Sequence, residues 1–163
     1  MTDNTDYVSK FINRTKKHIE RVNKYAKKIN KSYPNHDADK LDENKLLYMY
    51  SLMFKPDITV EERNILDRGT FIHVITNNHH PEYWTTTDLR GFTRKNFCPN
   101  GIVDATKMPD ECIEQMICDW CAMSEEFGNT PLEWANKVVN IRWKFTPQQI
   151  NLIYSLIETL WEN

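Results

Sequence analysis

The sequence predicts an all-α chain, a bundle of six or seven helices forming one domain over residues 1–163. Three observations carry this. Apolar residues recur at three- and four-residue steps through most of the chain, the spacing of one helix face. Several of these stretches open on helix-start signals: Thr59 with Glu62 three positions on, then Thr130-Pro131 and Thr146-Pro147. With only 4 Gly and 7 Pro, the chain also lacks the turn residues that an all-β fold of this length requires.

Residues 5–30 read as a long first helix, with Val8, Phe11, Thr15, His18, Val22, Tyr25 and Ile29 on its apolar stripe. Lysines fill most of the other face, and Glu20 with the acidic remainder of the chain makes that face a solvated one. Pro34 and Asn35 end this helix. Asp37 or Asp39 is placed to cap the next, expected from about Lys40 to Phe54 with Leu46, Leu47, Tyr50 and Met53 inward. The Thr59/Glu62 capping box starts a third helix running to about Asn78, in which Ile65, Gly69, Ile72, His73 and Thr76 share a face that reaches His80 if the helix persists. Gly69 would let another helix approach closely. Pro81 biases His80 away from helical angles, so this helix ends nearby. Residues 84–107 show no clear period and read as a long loop, either functional or a solvated surface. Pro109 opens a fourth helix to about Phe127, with Cys112, Met116, Asp119, Trp120 and Met123 on one face and Gly128 as its C-cap. A short helix from Pro131 holds Leu132, Trp134, Ala135, Val138 and Val139. The last, from Pro147, has Ile150, Ile153, Tyr154, Ile157, Leu160 and Trp161 as its core face.

Composition bounds the function. At 163 residues, 40% apolar and 12% aromatic, the chain can bury a real core. A net charge of −2 gives no general argument for nucleic acid or an anionic membrane as partner. No apolar run approaches the roughly 20 residues of a membrane span. The opening MTDNTDYVSKF lacks the apolar core of a signal peptide, so the expected location is the cytoplasm of whatever cell makes it. Cys118 and Cys121 have C-x-x-C spacing, but they lie in a helical pattern with no second pair. They read as buried small hydrophobes, reduced in a cytosolic protein.

Chemistry concentrates between His36 and His80. The chain has 5 histidines, and four of them lie in this stretch. His36 and Asp37 are adjacent at a helix start, His73 sits on a helix face, and His79 and His80 are paired. His18 points inward from the first helix, and Asp119 is an acid on a mainly apolar stripe, where a carboxylate needs a partner, a donor or a metal. Imidazole and carboxylate presented from several helices is how bundles build sites for zinc, iron, manganese or nickel. Arg90, Arg94 and Lys95, in the long loop among several threonines, suit phosphate oxygens.

The order His18, His36-Asp37, His73, His79-His80, Asp119 resembles the HD-domain superfamily of metal-dependent phosphohydrolases, all-α proteins whose signature is a histidine, a His-Asp pair and a distal aspartate. The extra histidines resemble its two-metal members, and His36-Asp37-Ala38-Asp39-Lys40 looks like the HDxxK variant. The segments NNHHPEYW and ECIEQMICDWCAMS are also similar to uncharacterised proteins of phages and large DNA viruses. The resemblance covers about residues 18–119. It implies that His18, His36, Asp37 and Asp119 hold one metal, and that Asp37 bridges to a second held by His73, His79 and His80. Asp37 and Lys40 would be the catalytic pair, with Lys40 a phosphate ligand or general acid. Arg90, Arg94 and Lys95 would bind further phosphate oxygens, and Glu82 would support a metal-bound imidazole. The paired histidines lead into Pro81-Glu82-Tyr83-Trp84 where the cyclic-dinucleotide branch has Gly-Tyr-Pro, which argues against that substrate.

Three functional readings follow. The first is a hydrolase of a nucleotide or other small phosphate ester, using two divalent ions. The second is an HD-fold di-iron oxygenase with nearly the same ligands. The third is a non-catalytic protein that binds a nucleotide or a partner, an oligomer among the possibilities. A structural zinc is disfavoured, because such sites use four ligands with cysteine among them.

Overall fold

The computed structural model describes residues 6–161, so the expected helix start at residue 5 lies outside the described residues. Among the described residues, six α-helices and one very small sheet make up the regular structure: α1 (Asp6–Lys27), α2 (Leu47–Ser51), α3 (Val60–Thr76), α4 (Asp110–Phe127), α5 (Pro131–Val138) and α6 (Pro147–Leu160). Short 3₁₀ turns at Ala38–Leu41, Leu52–Phe54 and Pro81–Trp84 connect them. The all-α bundle expected from periodicity is the observed architecture.

Helix starts behave as their chemistry dictates. Thr59, Thr130 and Thr146 each accept from the backbone N–H three residues on, and Glu62, Glu133 and Gln149 return the bond. Gly128 ends α4 in the left-handed conformation. Helix α4 is the central element, packing against both α1 and α6. Two apolar clusters result. One gathers Val22, Ile113, Ile117, Trp120, Ile153 and Leu160; the other gathers Phe11, Leu46, Leu47, Tyr50 and Leu66. Along α1, Phe11 belongs to one cluster and Val22 to the other, and His18 lies between them.

Three expectations are corrected. The single helix expected over 40–54 is broken, and only Leu47–Ser51 is α-helical. Asp42 is extended and its carboxylate accepts from the Asn44 N–H at 2.8 Å, a local bond that competes with helix formation. The inward face of α3 is Leu66, Gly69, Thr70, His73 and Val74, while Ile65 is exposed; on α5, Leu132 is exposed too. Residues 84–107 are not wholly irregular: β1 (Val103–Asp104) pairs in parallel with β2 (Trp143–Lys144). This two-residue ladder sets Arg142 and Trp143 beside the long loop.

Among the described residues, no helix is long and apolar enough to cross a membrane. Cys112, Cys118 and Cys121 are buried free thiols, and burial pushes those of Cys118 and Cys121 up to about 12. They are core residues, as their helical context predicted.

Candidate metal centre

All seven residues of the predicted ligand set converge. His18 comes from the inward stripe of α1, where it is 2% exposed. Asp37 occupies the left-handed region (φ 55, ψ 24), one of the few non-glycine residues to do so, and acidic side chains tolerate that conformation best. It stands at the cap position of the Ala38–Leu41 turn, but its carboxylate makes no capping bond and points inward instead. Helix α3 supplies His73 and stops at Thr76. Asn77 breaks it, donating its backbone N–H to the His73 carbonyl while its own backbone is extended. The following turn swings His79 and His80 back, so that the rings of His73 and His80 lie 4.8 Å apart and those of His36 and His79 4.3 Å apart. His80 therefore reaches the site from a turn rather than from a continued helix face.

Asp37 is the hub. Its Oδ1 lies 3.1 Å from Nε2 of His73, 3.3 Å from Nε2 of His79 and 3.5 Å from Nε2 of His36. Its Oδ2 lies 3.6 Å from Nε2 of His18, which itself sits 2.9 Å from Asp119 Oδ1. Potential ligand atoms fall into three overlapping groups, each within 4.8 Å: Asp37 with His73, His79 and His80; His18 with His36 and Asp37; and His36 with His79 and Asp119. The first is the set that the resemblance implied for a second metal.

The donor chemistry fits a cation. Nε2 of His36, His73, His79 and His80, together with Asp37 Oδ1, is buried without a hydrogen-bond partner. Each such atom costs about 1–3 kcal/mol. Five of them facing one another form a donor set that a cation could satisfy. These buried groups are compatible with an HD-type metal site.

A further shell fixes the rings. Asp39 Oδ2 accepts from His73 Nδ1 at 2.9 Å and from the Asn77 amide at 2.8 Å. That bond puts the His73 proton on Nδ1 and leaves the Nε2 lone pair toward Asp37. Gln115 of α4 lies between His36 Nδ1 at 2.9 Å and His79 Nδ1 at 3.4 Å. It is the amide Nε2 that faces the two rings; only with the amide turned end over end would its oxygen accept from both Nδ1 atoms, as Asp39 accepts from His73. Asp39, read from the sequence as a cap, is thus a ring-orienting carboxylate. Asn77 and Gln115 carried no signal in the sequence, since polar residues at a helix end and on a helix face are commonplace. Glu82 does not support an imidazole as expected. It is buried, and it accepts from the Trp143 indole at 2.9 Å.

Charge states follow. Burial opposes ionisation of Asp37, but His36, Lys40 and His73 overcome it and hold the carboxyl well below the usual range. Asp119 is likewise lowered against its burial by His18 and His36. Burial pushes His36 down to about 4 and His80 well below the ordinary imidazole value. Burial thus favours the neutral, metal-ligating form of His36 and His80, whereas His73, against its burial, is raised above the ordinary imidazole value by the carboxylates of Asp37 and Asp39.

The predicted cations separate. Lys40 is 13% exposed, lies 3.1 Å from Asp37 Oδ2 and sits 4.7 Å over the Tyr50 ring. Burial would lower its pKa, yet Asp37 raises it above the ordinary lysine value. Arg94 is tied to α3 by Nη1 donating to Thr70 Oγ1 at 2.9 Å and by its backbone N–H donating to Asp67. Both line a cavity of about 210 Å³ with His18, Asp37 and Asp119, which Arg14 of α1 also reaches. Arg90 is exposed, is paired with Asp88 at 2.7 Å and borders a separate hollow. Lys95 is exposed and lines neither site cavity. Only Lys40 and Arg94 of the four predicted phosphate-binding residues are brought to the histidines. Arg14, which the sequence reading passed over, joins them.

Next to this lies a larger cavity of about 370 Å³, bordered by His73, His79, His80 and Asp119 on one side and by Phe97, Trp134, Arg142 and Trp143 on the other. A family model described as "Family of unknown function (DUF5662)" matches residues 7–159. No curated protein and no solved structure matches the chain.

Proposed function

The chain belongs to DUF5662, a family of unknown function, and we propose that it is a metal-dependent phosphohydrolase acting on a nucleotide or other small phosphate ester. The observation that carries this reading is the convergence of four unpartnered imidazole nitrogens on Asp37, with two cations, Lys40 and Arg94, facing the same cavity. His73, His79, His80 and Asp37 would hold one divalent ion, and His18, His36, Asp37 and Asp119 a second. Ions held there activate water as a nucleophile and offset the charge that grows on a phosphoryl group.

The chain's own residues do the rest. Lys40, 3.1 Å from Asp37 Oδ2, is placed to offer its ammonium to a phosphoryl oxygen. Arg94, anchored through Thr70, offers its remaining N–H donors to further oxygens. Asp39 holds His73 in one tautomer, and Gln115 packs its amide against His36 and His79. Asp37 carries the negative charge that keeps the cluster together. The two cations favour hydrolysis of an anionic substrate over oxidation of a neutral one.

The test is elemental analysis of protein purified without added metal, with phosphate release from a panel of nucleotides and sugar phosphates measured under added manganese, iron, nickel or zinc. Two ions per chain and metal-dependent phosphate release support the reading. Bound iron with oxygen consumption and no phosphate release would replace it with the oxygenase.

A further inference from the structure

We propose that the far wall of the larger cavity is a recognition pocket for a flat heteroaromatic ring, and that Arg142 is the residue that reads the ring's acceptor atoms. This rests on the hydrolase reading only for the fate of the phosphate; the ring pocket itself stands on its own observations.

The first is the wall's composition. Trp143 stacks with Trp120 at 6.0 Å and 15°, and Trp134 meets Trp143 edge-on at 6.3 Å and 70°. With Phe97 these rings make that wall flat and apolar, which suits a planar ligand. The cavity's 370 Å³ falls in the range of about 300–1,000 Å³ usual for small-molecule sites.

The second observation is a cation set into this aromatic wall. The Arg142 guanidinium lies 3.6 Å from the Phe97 ring centroid and 4.3 Å from that of Trp143. Its side chain is 19% exposed, and Glu82, its acidic neighbour, is 3.8 Å away, beyond hydrogen-bond distance. Glu82 Oε1 accepts from the Trp143 indole instead. Arg142 Nε is buried with no acceptor, and Glu82 keeps only that long ion pair, at 3.8 Å from Nη2. A guanidinium carries five N–H donors in a fixed plane. An alkyl chain would leave them unpaired, whereas a ring bearing carbonyl or ring-nitrogen acceptors would satisfy them while its apolar surface packs along the aromatic wall.

The third is continuity. The same cavity is bordered by His73, His79, His80, Asp119 and Lys40. A molecule with its ring against Arg142 can therefore present an anionic group to the histidine cluster. The substrate class that fits is a nucleoside monophosphate.

The experiment measures two quantities separately. Binding of AMP, GMP, CMP and UMP is followed by tryptophan fluorescence quenching in metal-free protein, with ribose 5-phosphate and phenyl phosphate as the ring-free and acceptor-free probes. Hydrolysis of the same compounds is followed in the metal-loaded protein. Arg142→Lys keeps the charge near Glu82 and loses the planar fork; Phe97→Leu keeps an apolar loop anchor and loses the face.

At least one nucleotide should bind well above both control probes. Arg142→Lys should weaken that binding by about ten- to a hundred-fold, the worth of hydrogen bonds to a charged group, while leaving ribose 5-phosphate unchanged. Phe97→Leu should weaken nucleotide and phenyl phosphate together. Nucleotide binding with this Arg142 dependence but no hydrolysis of any probe would uphold the ring pocket and refute the hydrolase. Hydrolysis of ribose 5-phosphate as efficient as that of every nucleotide, with Arg142→Lys and Phe97→Leu folded and unaltered, would overturn the ring pocket and leave the hydrolase standing.

Discussion

Replacing Asp39 with asparagine removes one negative charge from the histidine cluster while keeping its shape. Asp39 Oδ2 now accepts from His73 Nδ1 and from Asn77 Nδ2, at 2.9 and 2.8 Å. An asparagine amide oxygen has lone pairs for both bonds, so the His73 ring stays in place with Nδ1 protonated. What is lost is the anion behind the ring, which makes Nε2 a stronger donor. Changes of this kind weaken metal affinity by about 10- to 100-fold, or about 1.4–2.7 kcal/mol. The loss has a thermal readout. At a free metal concentration of 100 Kd, binding stabilises the fold by about 2.7 kcal/mol; a 30-fold weaker site at the same concentration retains about 0.9 kcal/mol. For a domain of this size the metal-induced rise in Tm should fall from about 5–11 °C to about 2–4 °C. Metal-free wild type, Asp39→Asn and an Asp88→Asn control, altered at an exposed arginine pair, are titrated against a competing chelator and melted with and without metal. Equal affinity in all three proteins would refute the claim that Asp39 tunes His73, even if the cluster itself binds metal.

Other consequences are checked more simply. His36→Ala or Asp37→Ala should abolish metal uptake and hydrolysis while Lys17→Ala, on the exposed face of α1, does neither; full occupancy in both site variants, measured by elemental analysis, would remove the proposed centre. Gly69→Ala should destabilise by about 1–3 kcal/mol in a urea titration, because the new Cβ would lie 2.9 Å from Met49 Cβ, and this overpacking outweighs the roughly 1 kcal/mol gain in helix propensity. Cys118 and Cys121, with thiols at about 12 in the folded state, should resist iodoacetamide at pH 8 until the protein is unfolded; alkylation at the rate of a free thiol would return them to the redox reading.

The parts of the fold legible in the sequence are those where one signal acts alone. α1, α3, α4, α5 and α6 have long apolar stripes or explicit start signals, and their observed bounds fall within a few residues of the expected ones. The segment over 40–54 failed because its apolar pattern was real but Asp42 offered the backbone a competing local bond. Leu46, Leu47 and Tyr50 are still buried as the pattern required. The β1–β2 ladder is two residues long on each side, too short for any alternation to show.

The ligand set was legible for a different reason. Buried imidazoles and carboxylates are costly, so their presence on apolar stripes and at helix boundaries marked positions that something else must satisfy. His18 is the clearest case: alone it was a core histidine, its place in the order of histidines and aspartates implied a ligand, and the structure sets it 2.9 Å from Asp119, about a hundred residues on. Residues whose cost is low left no such mark. Gln115, Asn77 and Arg142 drew no notice in the sequence. Each acquires its meaning only from packing between elements: α4 against the His36 turn, α3 against Asp39, and β2 beside the long loop. Arginine placement shows the limit most sharply. Arg90 and Arg94 are four residues apart in one loop, yet Arg90 faces solvent with Asp88 while Arg94 is drawn in by Asp67 and Thr70 of α3. Both acceptors are on another helix, so no local pattern could have told the two arginines apart. For the same reason Arg94→Ala should depress nucleotide affinity, where Arg90→Ala leaves it unchanged.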